Sequence, residues 1–141
     1  MLYGEHHHQI DQKGRIRIPA KIKAALGENF IVTKGTAGCL FLFSQPELGN
    51  LHEKLKNVPL SDNEAQRPLR LIFSSASELD EDNQGRFLLP KNLREWASIQ
   101  KDLVVIGVGT RAEIWAKEEY ERYLKGADFD AAIGELGKYG V

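Results

Sequence analysis

The sequence predicts a mainly β chain with short helices, an α+β arrangement in which two tandem strand, helix, strand units interleave into one compact pseudo-twofold unit. Three observations lead there. The segment Asp11-Gln12-Lys13-Gly14-Arg15-Ile16-Arg17-Ile18-Pro19-Ala20-Lys21-Ile22 returns as Asp82-Asn83-Gln84-Gly85-Arg86-Phe87-Leu88-Leu89-Pro90-Lys91-Asn92-Leu93, with Asp, Gly, Arg and Pro at the same spacing and apolar residues at matching places. The flanks repeat as well: Phe30-Ile31-Val32 aligns with Leu103-Val104-Val105, and Cys39 to Phe43 with Ala112 to Ala116, after the offset grows from 71 to 73 residues. Such self-similarity marks a duplicated structural unit. Finally, each unit has too few strands to close a barrel, so burying both apolar faces requires the two to share a core. The organisation expected is repeat 1 over 5–47, a helical linker over 48–75, repeat 2 over 76–119, and a C-terminal helix and tail over 120–141.

Taken in order, a first strand is expected through His6 to Ile10, and Asp11 to Gly14 has the Asp and Gly spacing of a tight turn into a return strand. That return strand, Arg15 to Ile18, alternates: Ile16 and Ile18 face one side, Arg15 and Arg17 the other. Pro19 suits the start of a short helix over 20–26, where its missing N–H has no intrahelical partner to lose. Gly27 caps its end. Residues 30–33 and 39–43 form a hairpin across 34–38. Pro46 opens a helix reaching about Lys56, and Ser61-Asp62-Asn63-Glu64 matches a capping box that starts another near Asp62 and runs to about Ala76. Pro68 falls inside that helix and should kink or interrupt it. Repeat 2 then follows the same order: a strand to Glu81, the turn Asp82 to Gly85, a strand to Leu89, a helix over 91–97, a hairpin over 103–116, and a helix over 117–125 ended by Gly126. Asp128 to Leu136 adds a last short helix.

Composition narrows the function. Hydrophobic content of 42% and charged content of 28% belong to a globular domain rather than a disordered one. No apolar run approaches the roughly 20 residues of a membrane span, and no signal-peptide layout opens the chain, so a cytoplasmic protein is expected. The single cysteine, Cys39, excludes an internal disulfide and lies in an apolar strand, where a buried thiol behaves as a small hydrophobe. The net charge of −1 hides an asymmetry. Residues 12–23 carry Lys13, Arg15, Arg17, Lys21 and Lys23 with no acid, and 83–94 carry Arg86, Lys91 and Arg94 with none. Positive charge is gathered on the repeated motif.

Two accounts of that motif stand side by side. Asp11 and Asp82 sit four residues before Arg15 and Arg86, close enough to hold each guanidinium in a purely structural clasp. Asp11, Gly14, Asp82 and Gly85 are then residues that shape the turn. Lys13 and Arg17 exceed what a clasp needs, and a cationic β-ribbon is one way into a DNA groove. The candidate DNA-binding residues are therefore Lys13, Arg15, Arg17, Gln84 and Arg86, with Gln84 standing where repeat 1 has Lys13. His6-His7-His8 offers at most His6 and His8 on one strand face, with no further ligand at useful spacing, so no metal site is expected. Trp96 and Trp115 are expected to cover the core. No nucleophile elbow, P-loop or dinucleotide signature is present, and His52 lies on a charged helix, so neither a catalytic site, a small-molecule substrate nor a cofactor is expected.

The paired Asp-x-x-x-Arg motifs, each followed by Ile/Leu-Pro, together with Gly4-Glu5, Gly38-Cys39-Leu40-Phe41-Leu42, Ile106-Gly107-Val108-Gly109 and Glu113-Ile114-Trp115, resemble the MraZ family over about Gly4 to Leu124. One copy of the motif is shared by the wider SpoVT-AbrB-like superfamily of regulators and antitoxins; the tandem pair is far more specific. The resemblance implies a double-split β-barrel and a nucleoid-associated bacterial transcriptional regulator, a repressor, of the division and cell-wall gene cluster holding its own gene. It further implies a ring of several identical subunits bound to closely spaced, short G-rich repeats in promoter DNA. The family's Asp-x-x-x-Arg falls on Asp11 and Arg15, then on Asp82 and Arg86. The competing reading is an antitoxin-like protein-interaction module whose Arg hairpins are structural.

Overall fold

A computed structural model describes residues 1–141. Its first half contains β1 (Glu5–Gln9), β2 (Arg15–Ile16), α1 (Ala20–Leu26), β3 (Ile31–Lys34) and β4 (Leu40–Phe43). Two helices follow, α2 (Gln45–Leu55) and α3 (Asn63–Ser75). The second half repeats the order with β5 (Ser77–Glu78), β6 (Phe87–Leu88), α4 (Lys91–Trp96), β7 (Asp102–Gly107) and β8 (Ala112–Ala116), and closes with α5 (Lys117–Lys125) and α6 (Phe129–Gly134). No helix is long and apolar enough to cross a membrane.

The two halves exchange strands. In the six-stranded sheet the order is β1-β7-β8-β4-β3-β5, so β1 of the first half pairs antiparallel with β7 of the second, and β5 of the second with β3 of the first. The hairpins β3–β4 and β7–β8 meet in the middle through β4 and β8. A separate two-stranded ribbon pairs β2 with β6, Arg15 opposite Leu88 and Ile16 opposite Phe87. This order reads the same from either end, which is the pseudo-twofold of a double-split barrel. It corrects the expectation that β1 returns through its turn to pair with its own neighbour. The turn forms, since Asp11 N–H donates to the Arg15 carbonyl at 3.0 Å, but both strands then find partners across the molecule. The strands around the turns are also shorter than expected, with β2 ending at Ile16 and β5 at Glu78.

The exchange gives the chain one core. Twenty buried residues form a single cluster, drawn from both halves: Ile16, Ile22, Leu26, Leu40 and Leu42 meet Phe87, Leu89, Leu93, Leu103 and Ile114. Phe30 and Phe87 stack edge to face at 5.2 Å between ring centres. The helices α1 and α4 each offer a narrow apolar stripe to this core, Ile22 and Leu26 in one and Leu93 in the other.

The outer face of the sheet is covered by different means over its two hairpins. Over β3, buried Thr33 donates through its hydroxyl to the Ile72 carbonyl at 2.5 Å and lies 2.9 Å from the Ser75 hydroxyl, which seats α3. Over β8, Trp115 packs against Tyr120 and Tyr123 of α5 at 5.4 and 5.0 Å. Buried Glu113 is kept satisfied there, accepting from the Arg111 guanidinium and from Trp115 Nε1 at 3.0 Å. Trp115 is thus buried as expected, whereas Trp96 is 39% exposed and reaches in only to donate to the Cys39 carbonyl at 3.1 Å. Cys39 is buried, and desolvation pushes its thiol up to about 12, which keeps it protonated and inert.

Two expectations about α3 need correction. Its N-cap is Asp62, whose carboxylate accepts from Ala65 N–H at 3.1 Å, not Ser61. Pro68 does not break the helix, which runs unbroken from Asn63 to Ser75. The bond that Pro68 forfeits is one to the carbonyl of Glu64, an exposed residue where water can take its place.

Because neither half has a core of its own, Phe87→Ala should cost about 3–5 kcal/mol and shift unfolding of the whole chain. Calorimetry should show one transition at lower temperature; two separate transitions would contradict the shared core.

Candidate nucleic-acid interface

Each repeated turn is built around one carboxylate. Asp11 Oδ1 accepts from the backbone N–H of Lys13 and of Arg15, both at 2.9 Å, while Oδ2 accepts from Arg15 Nε at 2.7 Å. Asp82 repeats the pattern with Gln84 N–H and Arg86 N–H at 2.9 Å and Arg86 Nε at 2.8 Å. A backbone bond from the glycine N–H to the Asp carbonyl closes each turn, at 3.0 Å for Gly14 and 3.1 Å for Gly85. Gly14 and Gly85 sit at φ +83° and +76°, a region that side chains rarely adopt. A Cβ on Gly14 would also lie 3.0 Å from Cζ of Arg94, whose guanidinium packs beneath the first turn.

The clasp leaves the arginines half free. Only Nε of Arg15 and Arg86 is bonded to protein, so the two terminal nitrogens of each guanidinium keep their donors available. Their side chains are 26% and 23% exposed, held in one geometry without being sealed in the interior. The pairing of β2 with β6 sets both on one ribbon, whose inner side is closed by buried Ile16 and Phe87. An arginine already fixed at Nε loses little freedom when its remaining donors meet a ligand.

The other predicted positions divide. Lys13 is exposed with no ion-pair partner beside the first turn, and Gln84 is exposed at the same place in the second. Arg17 is exposed, and its Nη1 donates to the Gln84 carbonyl at 2.6 Å, tying the first half to the second turn. Its counterpart Leu88 is 54% exposed. Among the flanking cations, Lys23 pairs with Glu81 of the second half. His6 and His8 are half-buried on β1 opposite Val105 and Leu103. Arg94 was overlooked by sequence reasoning because its role depends on a turn 80 residues away in sequence. Its Nε is buried without a partner. Arginine at the position where α1 carries Lys23 was the one available signal.

The face that results carries Lys13, Arg15, Arg17 and Arg86, and the carboxylates beside it, Asp11, Asp82 and Glu81, are engaged by Arg15, Arg86 and Lys23. Two interleaved AbrB-like units in one chain, displaying paired arginine turns on a two-stranded ribbon, define a tandem AbrB-like protein with a cationic face. The chain belongs to the MraZ family. The family model described as "MraZ protein, putative antitoxin-like" matches residues 1–71 and again 72–133. The transcriptional regulator MraZ of Alkaliphilus oremlandii (strain OhILAs) is 44% identical over the whole of both chains. That of Caldanaerobacter subterraneus subsp. tengcongensis is 49% identical, again over the whole of both. The Carboxydothermus hydrogenoformans protein of the same name is 48% identical across 98% of this chain and 95% of its own.

The clasps have a pH signature. Backbone N–H donation from Arg86, then from Gln84, and the Arg86 guanidinium hold the Asp82 carboxyl at about 2, below its ordinary 3.8, and Asp11 is lowered in the same way. A carboxyl lowered on folding contributes stability that is complete above about pH 4 and is lost as pH falls through its folded value, toward 2. Urea midpoints should therefore fall between those limits, and the Asp11→Asn/Asp82→Asn variant should show a flatter profile across the same range. An unchanged slope in the variant would mean that the clasps do not hold the turns.

Proposed function

We propose that this chain is a sequence-specific DNA-binding transcriptional regulator, acting on the promoter of the bacterial division and cell-wall gene cluster, and that it is not an enzyme. The observation that carries the reading is the pair of guanidinium groups, Arg15 and Arg86, each anchored through Nε and open at both terminal nitrogens on one ribbon. A free pair of terminal donors matches the O6 and N7 acceptors that guanine presents in the major groove, and a two-stranded ribbon fits that groove. The G-rich repeats of the family are the natural target. Lys13 and Gln84, exposed at the tips of the turns, reach the phosphates or base edges beside them, while Arg17 orders the second turn through Gln84 and adds charge.

One subunit offers few cations, so affinity comes from several identical subunits, arranged in a ring, engaging neighbouring repeats together. Each bound subunit raises the effective concentration of the next. The name shared by the relatives, "Transcriptional regulator MraZ", supports the regulatory role, and with it a site of action in the cytoplasm on the nucleoid. Repression is the expected outcome of covering a promoter. The clasp itself favours the rival account, an interaction module whose arginines only brace the turns, and the same variant separates the two.

Arg15→Ala removes a bidentate reader worth about 1–3 kcal/mol of base discrimination, so it should lower affinity for a G-rich repeat by roughly 5- to 150-fold. Its cooperative thermal transition should persist. Lys13→Ala should weaken binding to all sequences and reduce the salt slope by about 1. Fluorescence anisotropy at several salt concentrations checks both. Unaltered repeat binding by Arg15→Ala, or its outright unfolding, would favour the bracing role. Equal affinity for duplexes carrying one repeat and several would remove the multivalent mechanism.

A further inference from the structure

The surface carries two apolar features that the candidate DNA face does not use. Between α2 and α3 lies a groove of about 370 Å³ lined by Leu55, Val58, Leu60, Leu69 and Phe73, with His52 edge-on to Phe73 at 6.2 Å. It is unfilled: Leu60 is 87% exposed and Phe73 38%. The second feature is the segment after α5. There α6 and the 3-10 turn Glu135–Tyr139 expose Phe129, Ile133 and Leu136, and no residue of this arm is buried. The groove and the arm do not meet within one chain: no residue of α6 or of the 3-10 turn lines the groove.

The two are matched in spacing and in charge. Phe129, Ile133 and Leu136 follow an i, i+4, i+7 pattern about 10 Å long, the length covered by Gln66, Leu69 and Phe73 on α3. Arg67 and Arg70 stand exposed on α3 with no carboxylate partner, and Asp128 and Asp130 stand exposed on the arm with no cation partner. Cations beside the groove and acids beside the apolar stripe of the arm meet when the stripe enters the groove.

We propose that the arm of one copy seats Phe129, Ile133 and Leu136 in the α2–α3 groove of the next copy, with Asp128 and Asp130 facing Arg67 and Arg70. The contact is heterologous: each copy gives an arm and receives one, and the series ends when rotation closes it into a ring. This deepens the self-association proposed above and rests on it.

Two full-length variants test the proposal. One carries Phe129→Ser, Ile133→Ser and Leu136→Ser; the other carries Leu60→Asp, Arg67→Glu and Arg70→Glu. Light scattering after size exclusion should find the intact chain oligomeric and each variant monomeric, with thermal unfolding by circular dichroism still cooperative. An equimolar mixture should give a particle of twice the monomer mass, because one working arm and one working groove remain. Should the serine variant lose its fold, Asp128→Arg/Asp130→Arg, which removes no apolar side chain, carries the same expectation. A monomeric intact chain, a variant that keeps the intact chain's mass, or a mixture of folded variants that stays monomeric would overturn the proposal. Failure of the DNA reading is separate: the intact chain would then bind no G-rich duplex, whatever its mass. Binding of a single-repeat duplex by the monomeric variants should stay within about twofold of the intact chain's affinity per site.

Discussion

A carboxylate that accepts three hydrogen bonds from the four residues after it is the constraint on which the rest of this protein depends. Asp11 and Asp82 each fix the backbone of a turn through two N–H groups and an arginine through Nε. The turn sends the following strand across the molecule rather than back along its predecessor, and the arginine is presented in one orientation. Fold and candidate function thus draw on the same atoms. A position that only braced the hairpin would not need a side chain with two further donors facing outward; one that only bound DNA would not need the carboxylate.

Strand exchange explains how so short a repeat supports a rigid face. Each half lacks the strands to cover its own apolar residues, and the shared cluster around Ile16, Leu40, Phe87, Leu89 and Ile114 is complete only when β1 lies on β7 and β2 on β6. The same exchange sets Arg15 and Arg86 on one ribbon, although 71 positions separate them in the sequence. The halves are not equivalent on this surface. The first half places Lys13 and Arg17 where the second has Gln84 and Leu88, and Arg17 spends one donor on the Gln84 carbonyl. The first turn therefore carries more of the charge.

Much of this was legible in the sequence because the signals are local. Asp, Gly and Arg at fixed offsets declare a turn and its clasp, alternation around Ile16 declares a buried side, and Pro19, Gly27 and Gly126 mark helix limits within a residue or two. What was not legible is non-local. A turn sequence does not name the strand that will pair beyond it, so the crossing of β1 to β7 and β2 to β6 in place of a simple hairpin was misread in its particulars. The bond made by Arg17 was not legible because its acceptor, the Gln84 carbonyl, belongs to the other half. Arg94 looked like an ordinary helix residue because the glycine it packs under is in the first turn. Pro68 misled for the opposite reason: its local penalty is real, but it falls where the freed carbonyl belongs to an exposed residue.

The central claim is that clasped arginines read guanine in the major groove. Dimethyl sulfate protection on a duplex carrying several G-rich repeats tests it at the atom concerned. The account predicts that guanine N7 in each repeat is shielded when the intact chain binds, and that the Arg15→Ala chain, at concentrations that still occupy the DNA, leaves one set of those guanines reactive. Guanine N7 atoms that stay fully reactive beneath bound intact protein would contradict it.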